Sequence, residues 1–235
     1  MAERSIFIPT PFADTFVMTK PVTFEWAAGM SITQKQKSIE ALHSAASESI
    51  PAVGNILEVS SKSKDALGVA LSAFNLKFTT KKYGVTLSVE CAFQGSKVFE
   101  LGGPYRDIFE VSSREAKKDE RLQNSGRLLR FDFFNADWEL EPRTAFYDWI
   151  YINALKKQSR SVIEQVLSYS AFTDIEFNPK RSFNCQAYSV ALFVSLYKQG
   201  LLERATSSQS EFLAIVRGAL LSHTHRDDTK QQSLI

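Results

Sequence analysis

The chain has 235 residues, of which 44% are hydrophobic and 23% are charged, so it is long enough to bury a sizeable core in one large domain or two small ones. Its 28 basic and 26 acidic residues leave a net charge of +2, which by itself does not indicate nucleic-acid binding and leaves room for a local basic cleft. The chain has no apolar run of the roughly 18 residues that a membrane span needs, and its first residues lack the features of a secretory signal. We therefore predict a soluble, cytoplasmic protein.

Cysteine and histidine usage indicates neither a disulfide framework nor a metal site. Cys91 and Cys185 lie far apart in the sequence among apolar neighbours, which predicts buried free thiols in a reducing compartment. The histidines are His43, His223 and His225, and none of them forms a metal-ligand spacing with a cysteine. We therefore expect no metal and no cofactor.

Hydrophobic periodicity predicts the elements of the first half of the chain. The first 20 residues contain two prolines and no clear period, which indicates an extended arm. A helix follows, with Thr33 as a possible cap, and then a short strand. This helix is predicted at 33–48 and the strand at 56–59. A hairpin over 69–89 that turns at 79–84 comes next, and then a helix that runs from Val89 until Gly102 and Gly103 end it.

The second half of the chain has mainly helical patterns. Ser112 and Glu115 have the spacing of a capping box before a short charged helix. Residues 127–140 are aromatic and mixed, and their pattern does not decide between helix and strand. Helices are predicted at 143–157, 161–169, 183–202 and 208–223.

These elements predict an α+β fold, a mostly helical single domain in which a small antiparallel hairpin leads into the helix at Val89. We place an N-terminal arm at residues 1–30, the main domain at 31–225 and a frayed tail at 226–235. The 18 phenylalanines predict that the core is rich in aromatic side chains.

The stretch from Val89 to Lys97 carries the first candidate site. Glu90, Gln94 and Lys97 are spaced i, i+4 and i+7, which on an α-helix places them on one stripe. Such a stripe is either a solvated face or, because its neighbours are small or apolar, the edge of a cleft. A carboxylate and an amine that project into a cleft suit acid–base or imine chemistry.

A dense polar run between two predicted apolar helices is the second candidate. It is either an ordinary loop or a ring of hydrogen-bonding groups around a polar ligand. The run consists of Asp174, Glu176, Asn178, Lys180, Arg181, Asn184 and Gln186.

The third candidate is the segment from Gly102 to Arg106. Glycines allow backbone amides to approach a phosphate, and Arg106 can pair with that phosphate, but a plain turn has the same sequence pattern. Basic residues recur after this segment and suit either a nucleic-acid backbone or a solvated helix face. They are Arg114, Lys117, Lys118, Arg121, Arg127 and Arg130.

Together these segments resemble the NADAR family, whose name marks an association with NAD and ADP-ribose. Residues 71–76 resemble its "LSNFYPSPF" segment, and residues 88–97 resemble its "SEHxFQxxK" motif, with Glu90, Phe93, Gln94 and Lys97 in register. Cys91 stands where the motif has histidine, and no "WG" element follows Asp174. Over residues 5–202 the chain is most similar to the NADAR antitoxins that are paired with DarT-type toxins.

The resemblance implies an antitoxin that cleaves ADP-ribose from guanine bases in DNA and so reverses the action of a DNA ADP-ribosyltransferase. It implies ADP-ribosylated DNA and ADP-ribose as ligands and a cognate DarT-type toxin as a partner. Alternatives are a non-catalytic sensor of ADP-ribose or an NAD derivative, and an antitoxin that grips the toxin directly. Glu90 and Lys97 would be catalytic, and the substrate-binding residues would be Gln94, Phe74, Asn75, Arg106, Asp174, Glu176 and Asn184.

Overall fold

The structure, a computed structural model, describes residues 1–11, 15–51, 53–179 and 182–218. Over these residues it is an α+β fold with predominant helices, which confirms the predicted fold class. The strands are β1 (Ala2–Pro9), β2 (Val17–Phe24), β3 (Ile56–Glu58), β4 (Lys77–Thr79), β5 (Thr86–Ser88), β6 (Lys97–Phe99), β7 (Leu128–Phe133), β8 (Ala136–Trp138) and β9 (Ala171–Thr173). The helices are α1 (Ile32–Ser49), α2 (Ala66–Ala70), α3 (Val89–Gly95), α4 (Ser113–Lys118), α5 (Arg121–Asn124), α6 (Ala145–Lys156), α7 (Arg160–Leu167), α8 (Gln186–Lys198), α9 (Leu202–Ala205) and α10 (Gln209–Gly218).

The largest sheet joins the N-terminal residues to the second half of the chain. Its strand order is β2-β1-β9-β3, with β1 antiparallel to both neighbours and β3 parallel to β9. The expected extended arm therefore contains two strands of this sheet. Ile6 and Phe7 lie on opposite faces of β1 and are both buried, so this strand is covered on both sides. Pro21 lies on the edge strand β2, where a missing N–H is tolerated.

Helix α1 packs on one face of this sheet. Its bounds extend the predicted helix by one residue at each end, and Ile39, Leu42 and Ala46 are buried as expected. Ser31, rather than Thr33, caps the helix, because its hydroxyl accepts a hydrogen bond from a backbone N–H of the first turn.

The hairpin that leads into α3 is confirmed in its second half only. Strands β4 and β5 pair in antiparallel register, from Lys77 opposite Ser88 to Thr79 opposite Thr86. The prediction of a strand from residue 69 is wrong, since the chain forms helix α2 up to Ala70, and its hairpin strand starts at Lys77. The apolar sequence that starts at residue 69 fits the periodicity of a helix as well as that of a strand. Helix α2 is favoured here because the Asp65 carboxylate caps it by accepting from the Leu67 N–H at 2.8 Å.

Helix α3 is shorter than predicted. It starts at Val89 but ends at Gly95, so the prediction of a helix that continues to Gly102 is wrong. The Asp132 N–H donates to the Ser96 carbonyl at 2.7 Å, and Lys97 pairs with Phe131 in the antiparallel sheet β6-β7-β8. Residues 127–140, which the sequence left undecided, contain β7 and β8 and thereby supply the partner strand.

Helices α6 and α8 pack together in the centre of the molecule, as their apolar sequences predict. The core is rich in aromatic side chains, as expected: Phe93 contacts Phe131 at a centroid distance of 5.3 Å and Tyr147 at 5.2 Å. Cys91 and Cys185 are buried free thiols, which confirms that prediction.

The capping box before α4 is also confirmed. The Ser112 hydroxyl accepts from the Glu115 N–H, and the Glu115 carboxylate accepts from the Ser112 N–H at 2.9 Å. Near the C-terminus, α10 starts at Gln209, one residue after the predicted start, and is described to Gly218. His223, His225 and the predicted tail at 226–235 lie outside the described residues.

Candidate active site

A cavity of about 960 Å³ opens beside helix α3. Its walls come from α3 and β6, from the residues that follow β3 and α2, from the residues that precede α6, and from the segment between β9 and α8. These elements are far apart in the sequence, and β9 connects the last segment to the main sheet. The cavity volume suits a ligand of the size of a dinucleotide.

Glu90 and Gln94 form a buried pair on one wall of the cavity. The Ser88 hydroxyl caps α3 by accepting from the Cys91 N–H at 3.0 Å, and the Glu90 N–H donates to the Ala73 carbonyl at 3.0 Å. Gln94 Nε2 donates to Glu90 Oε1 at 2.9 Å, which fixes the carboxylate. Gln94 Oε1 is buried and has no hydrogen-bond partner among the described residues, so it is available to a donor group of a ligand.

Lys97 reaches the same cavity from strand β6. Its Nζ lies 4.7 Å from the centroid of the Phe93 ring, so the ammonium group faces an aromatic surface. The pKa of Lys97 is lowered to about 8, chiefly by burial; the charge of Glu90 opposes this shift and that of Lys117 adds to it. About a tenth of Lys97 is therefore an uncharged amine at pH 7, and this is the form that acts as a nucleophile.

The opposite wall begins at Asp174, directly after β9. Its carboxylate accepts from the Glu176 N–H at 3.0 Å and from the side chain of Gln186. Burial, reinforced by Glu58 on the neighbouring strand β3, raises the pKa of Asp174 to about 8. Most of this carboxyl is protonated at neutral pH, so it offers a hydrogen-bond donor to the cavity.

Glu176 and Asn184 complete this wall. The Glu176 carboxylate pairs with Lys35 of α1 at 3.0 Å, while Oδ1 of Asn184 is buried without a partner among the described residues. Gln186 links the two walls, because its Oε1 accepts from the Ala73 N–H at 2.7 Å while its side chain also binds Asp174. The structure thus brings the first predicted cluster and four members of the second, Asp174, Glu176, Asn184 and Gln186, into one site, whereas Asn178 lies outside the cavity lining.

The model of the DarT1-associated NADAR antitoxin family matches residues 2–226 of the chain. The chain belongs to this family. No match was found among the curated proteins with which the sequence was compared. The match to the family model includes every wall of the cavity, from the residues after β3 to the start of α8.

Two predicted binding residues of this NADAR antitoxin lie outside the cavity lining. Arg106 donates to Oδ1 of Asn135 at 2.9 Å and pairs with Asp132 at 3.4 Å on the surface. The Asn75 side chain donates to the Val69 carbonyl at 2.9 Å, whereas its neighbour Phe74 lines the cavity. Arg106 and Asn75 are thus oriented by structural hydrogen bonds, and the structure does not join them to Glu90.

The glycine loop after β6 packs closely against the backbone of Lys97. Gly103 has φ of +88°, and a β-carbon there would lie 2.3 Å from the Lys97 carbonyl oxygen. The Phe99 N–H donates to the Gly102 carbonyl at 2.7 Å, so the loop folds back on the strand. Close backbone approach is therefore the reason for glycine at residue 103.

We expect Gly103→Ala to lower the stability of the protein and any activity that depends on the position of Lys97. The left-handed backbone costs about 1 kcal/mol and the forced displacement of β6 about 2 kcal/mol more, and that displacement moves Lys97. Gly84→Ala is the matched control, because Gly84 has φ of +65° but open space around it. Chemical denaturation and activity of both variants test this expectation; equal effects of the two variants contradict it.

Three of the six basic residues that follow the glycine loop are bound to acids: Arg121, Arg127 and Arg130. Arg121 pairs with Asp107 and Asp119, each at 2.6 Å, and Arg127 pairs with Glu100 at 3.3 Å. Lys117 is the member of this series that lines the cavity. This surface therefore gives little support to a long track for a nucleic-acid backbone.

Several cavity residues were not among the predicted site residues. Tyr147 of α6 has its pKa raised by burial and then by the charge of Glu90, and it contacts Phe93 edge-on. Phe183 and Lys62 also line the cavity. A polar run at 60–65 after a buried strand was the available signal for Lys62, while Tyr147 is indistinguishable from a core aromatic residue in the sequence.

Predicted residues Lys180 and Arg181 lie outside the described residues. Within the described part of the chain, no group of His, Cys, Asp and Glu side chains has an arrangement that could hold a metal ion. The same part of the chain contains no helix that is both long and apolar enough to cross a bilayer.

Proposed function

We propose that this NADAR antitoxin is an N-glycosidase that removes ADP-ribose from guanine bases in DNA and so reverses the action of a DarT-type toxin. The observation that carries the proposal is the convergence of the buried Glu90–Gln94 pair and of Lys97, with its lowered pKa, on one cavity. Family membership supports the antitoxin role.

The Glu90 carboxylate suits the transition state of this reaction. The bond between the anomeric carbon of the ribose and the guanine nitrogen breaks, its electron pair stays with guanine, and positive charge develops on the sugar. A carboxylate held by Gln94 at 2.9 Å stabilises that charge without having to reorganise. Burial of both side chains strengthens this electrostatic effect, because water is excluded.

Lys97 is positioned to act as the nucleophile. Its neutral amine bonds to the anomeric carbon as guanine leaves, and the proton that the amine loses passes to the departing guanine. The remaining N–H proton passes to the ring oxygen as the sugar ring opens, which gives an imine. Addition of water to the imine then releases ADP-ribose and restores the lysine. The burial that lowers the Lys97 pKa to about 8 supports this role, since it makes the neutral amine available.

The second wall would bind the sugar and the adenine. Asp174, whose pKa is raised to about 8 by burial, would donate to a hydroxyl or ring nitrogen, and the free Oδ1 of Asn184 would accept. Glu176 and Phe74 lie at the same cavity and add a carboxylate and an aromatic face. These groups suit a ligand that is polar along its whole length.

A direct assay tests the proposal. The protein is incubated with an oligonucleotide that carries ADP-ribose on guanine, and mass spectrometry follows the free ADP-ribose and the restored base. Release of both products at substoichiometric protein supports the glycosidase. Binding of the oligonucleotide without release of ADP-ribose contradicts the glycosidase and indicates a sensor. Co-purification with a catalytically inactive toxin, again without release of ADP-ribose, indicates direct neutralisation of the toxin.

A further inference from the structure

The residues Ser61 and Lys62, which follow β3, form a cavity wall that the proposed chemistry leaves without a role. We propose that this Ser61–Lys62 turn binds the diphosphate of a nucleoside diphosphate ligand. The inference rests on the proposed function only for the identity of the ligand as ADP-ribose. A diphosphate needs cationic and hydroxyl donors, and Arg106, the candidate from the sequence, is bound elsewhere.

The charge balance of the cavity favours an anionic ligand near this turn. Glu176 is paired with Lys35, Glu141 is paired with Arg143 at 3.3 Å, and Asp174 is largely protonated because burial raises its pKa to about 8. Three of the four acids of the lining are therefore neutralised. The fourth, Glu90, lines the cavity together with the cationic side chains Lys62, Lys97 and Lys117.

Lys62 is the cation that the structure leaves most available. Within the described ranges it has no carboxylate within 4.0 Å, and its side chain is half-buried at the cavity. The charge of Lys97 interacts with the nearby carboxylate of Glu90, and the ammonium of Lys117 lies 5.2 Å from the centroid of the Phe74 ring. Lys62 and Lys117 can thus flank a diphosphate, leaving Lys97 to the reacting sugar.

The turn is held rigidly before any ligand binds. The Lys62 N–H donates to the Ser60 hydroxyl at 3.1 Å, and the Ser63 N–H donates to the Ser60 carbonyl at 3.1 Å. Helix α2 packs so closely that a β-carbon at Gly68 would lie 2.0 Å from the Glu58 carbonyl oxygen and 2.5 Å from the Ser63 hydroxyl. A preorganised turn loses little conformational freedom on binding an anion.

The test is calorimetric titration with ADP, ADP-ribose and adenosine, none of which requires chemistry. We expect Lys62→Gln to weaken binding of ADP and ADP-ribose by about 10- to 100-fold, as for loss of a charged hydrogen bond, and to leave adenosine binding unchanged. Lys62→Arg should restore much of the affinity. Lys64→Gln is the matched control, because Lys64 lies two residues further on, outside the cavity, and pairs with Glu40.

The diphosphate site is contradicted by wild-type protein that binds neither ADP nor ADP-ribose, and by Lys62→Gln that binds ADP as well as wild type does. An equal loss of adenosine and ADP binding also overturns it, since that indicates a general distortion. ADP binding through Lys62 without release of ADP-ribose from DNA leaves the site standing and contradicts the glycosidase. If the wild-type protein releases ADP-ribose from DNA but Lys62→Gln binds ADP as well as wild type does, the glycosidase is supported and the diphosphate site is contradicted.

Discussion

Glu90→Gln should reduce the release of ADP-ribose from modified guanine by about 10²- to 10⁴-fold, the range for loss of a well-placed catalytic carboxylate. The substitution keeps the size of the side chain and an oxygen that can accept from Gln94 Nε2, but it removes the negative charge. We therefore expect single-turnover rates to fall while the affinity for ADP-ribose changes less than about tenfold.

Glu100→Gln is the control for this experiment. Glu100 pairs with Arg127 on the surface at 3.3 Å and lies outside the cavity lining, so its loss should leave the rate within about twofold of wild type. Release by Glu90→Gln at the rate of the control would remove Glu90 from the mechanism.

Lys97 should give the reaction a pH dependence that reports its role. With a pKa lowered by burial to about 8, the neutral amine increases about tenfold per pH unit below that value and is complete above it. A nucleophilic amine thus predicts a single-turnover rate that rises from about pH 6 and becomes constant above about pH 8. An ammonium that only holds the ribose predicts the opposite, a rate that falls above about pH 8.

Two variants separate Lys97 from other groups that titrate near the same pH. Asp174 also has a pKa raised to about 8, so Asp174→Asn should retain the rising profile if Lys97 causes it. Lys97→Arg keeps a positive charge at all these pH values and should be inactive if a neutral amine is needed. An active Lys97→Arg variant would exclude the nucleophilic role.

Borohydride reduction during turnover provides an independent measurement. We expect a covalent adduct of ADP-ribose on the wild-type protein, detectable by mass, because hydride reduces an imine to a stable amine. Lys97→Ala should lack the adduct, whereas Lys64→Ala should retain it, since Lys64 lies outside the cavity lining and pairs with Glu40. Equal adduct formation in Lys97→Ala would place the imine elsewhere.

The sequence motif contains three residues that line the cavity, Glu90, Gln94 and Lys97, but the helical geometry predicted for all three is correct only for the first two. Glu90 and Gln94 lie four residues apart on a helix, as expected, because this spacing is local and the Ser88 cap is encoded next to it. Lys97 was expected on the same helical stripe but lies on a strand. It reaches the cavity because the chain leaves the helix after Gly95 and pairs with β7, a strand that the sequence left undecided.

Arg106 illustrates what residue type and spacing cannot decide. An arginine beside two glycines is a reasonable phosphate ligand in the sequence, but its guanidinium is bound by Asn135 and Asp132, about thirty positions away. The partner of a long, charged side chain depends on which distant loop lies within its reach. Lys62 is the opposite case: we proposed it as a ligand only because the structure shows which acids of the cavity are already paired.

By itself, the sequence determined the α+β class, the main helices, the buried free thiols and the motif residues Glu90, Gln94 and Lys97, because each depends on local periodicity, composition or a short pattern. Only the tertiary structure decided which walls meet. Burial raises the pKa of Asp174, and the parallel pairing of β3 with β9 adds the charge of Glu58 beside that carboxyl. Gln186 joins this wall to Ala73. Burial and charge at a site are sums over residues distant in sequence, so no local pattern contains them.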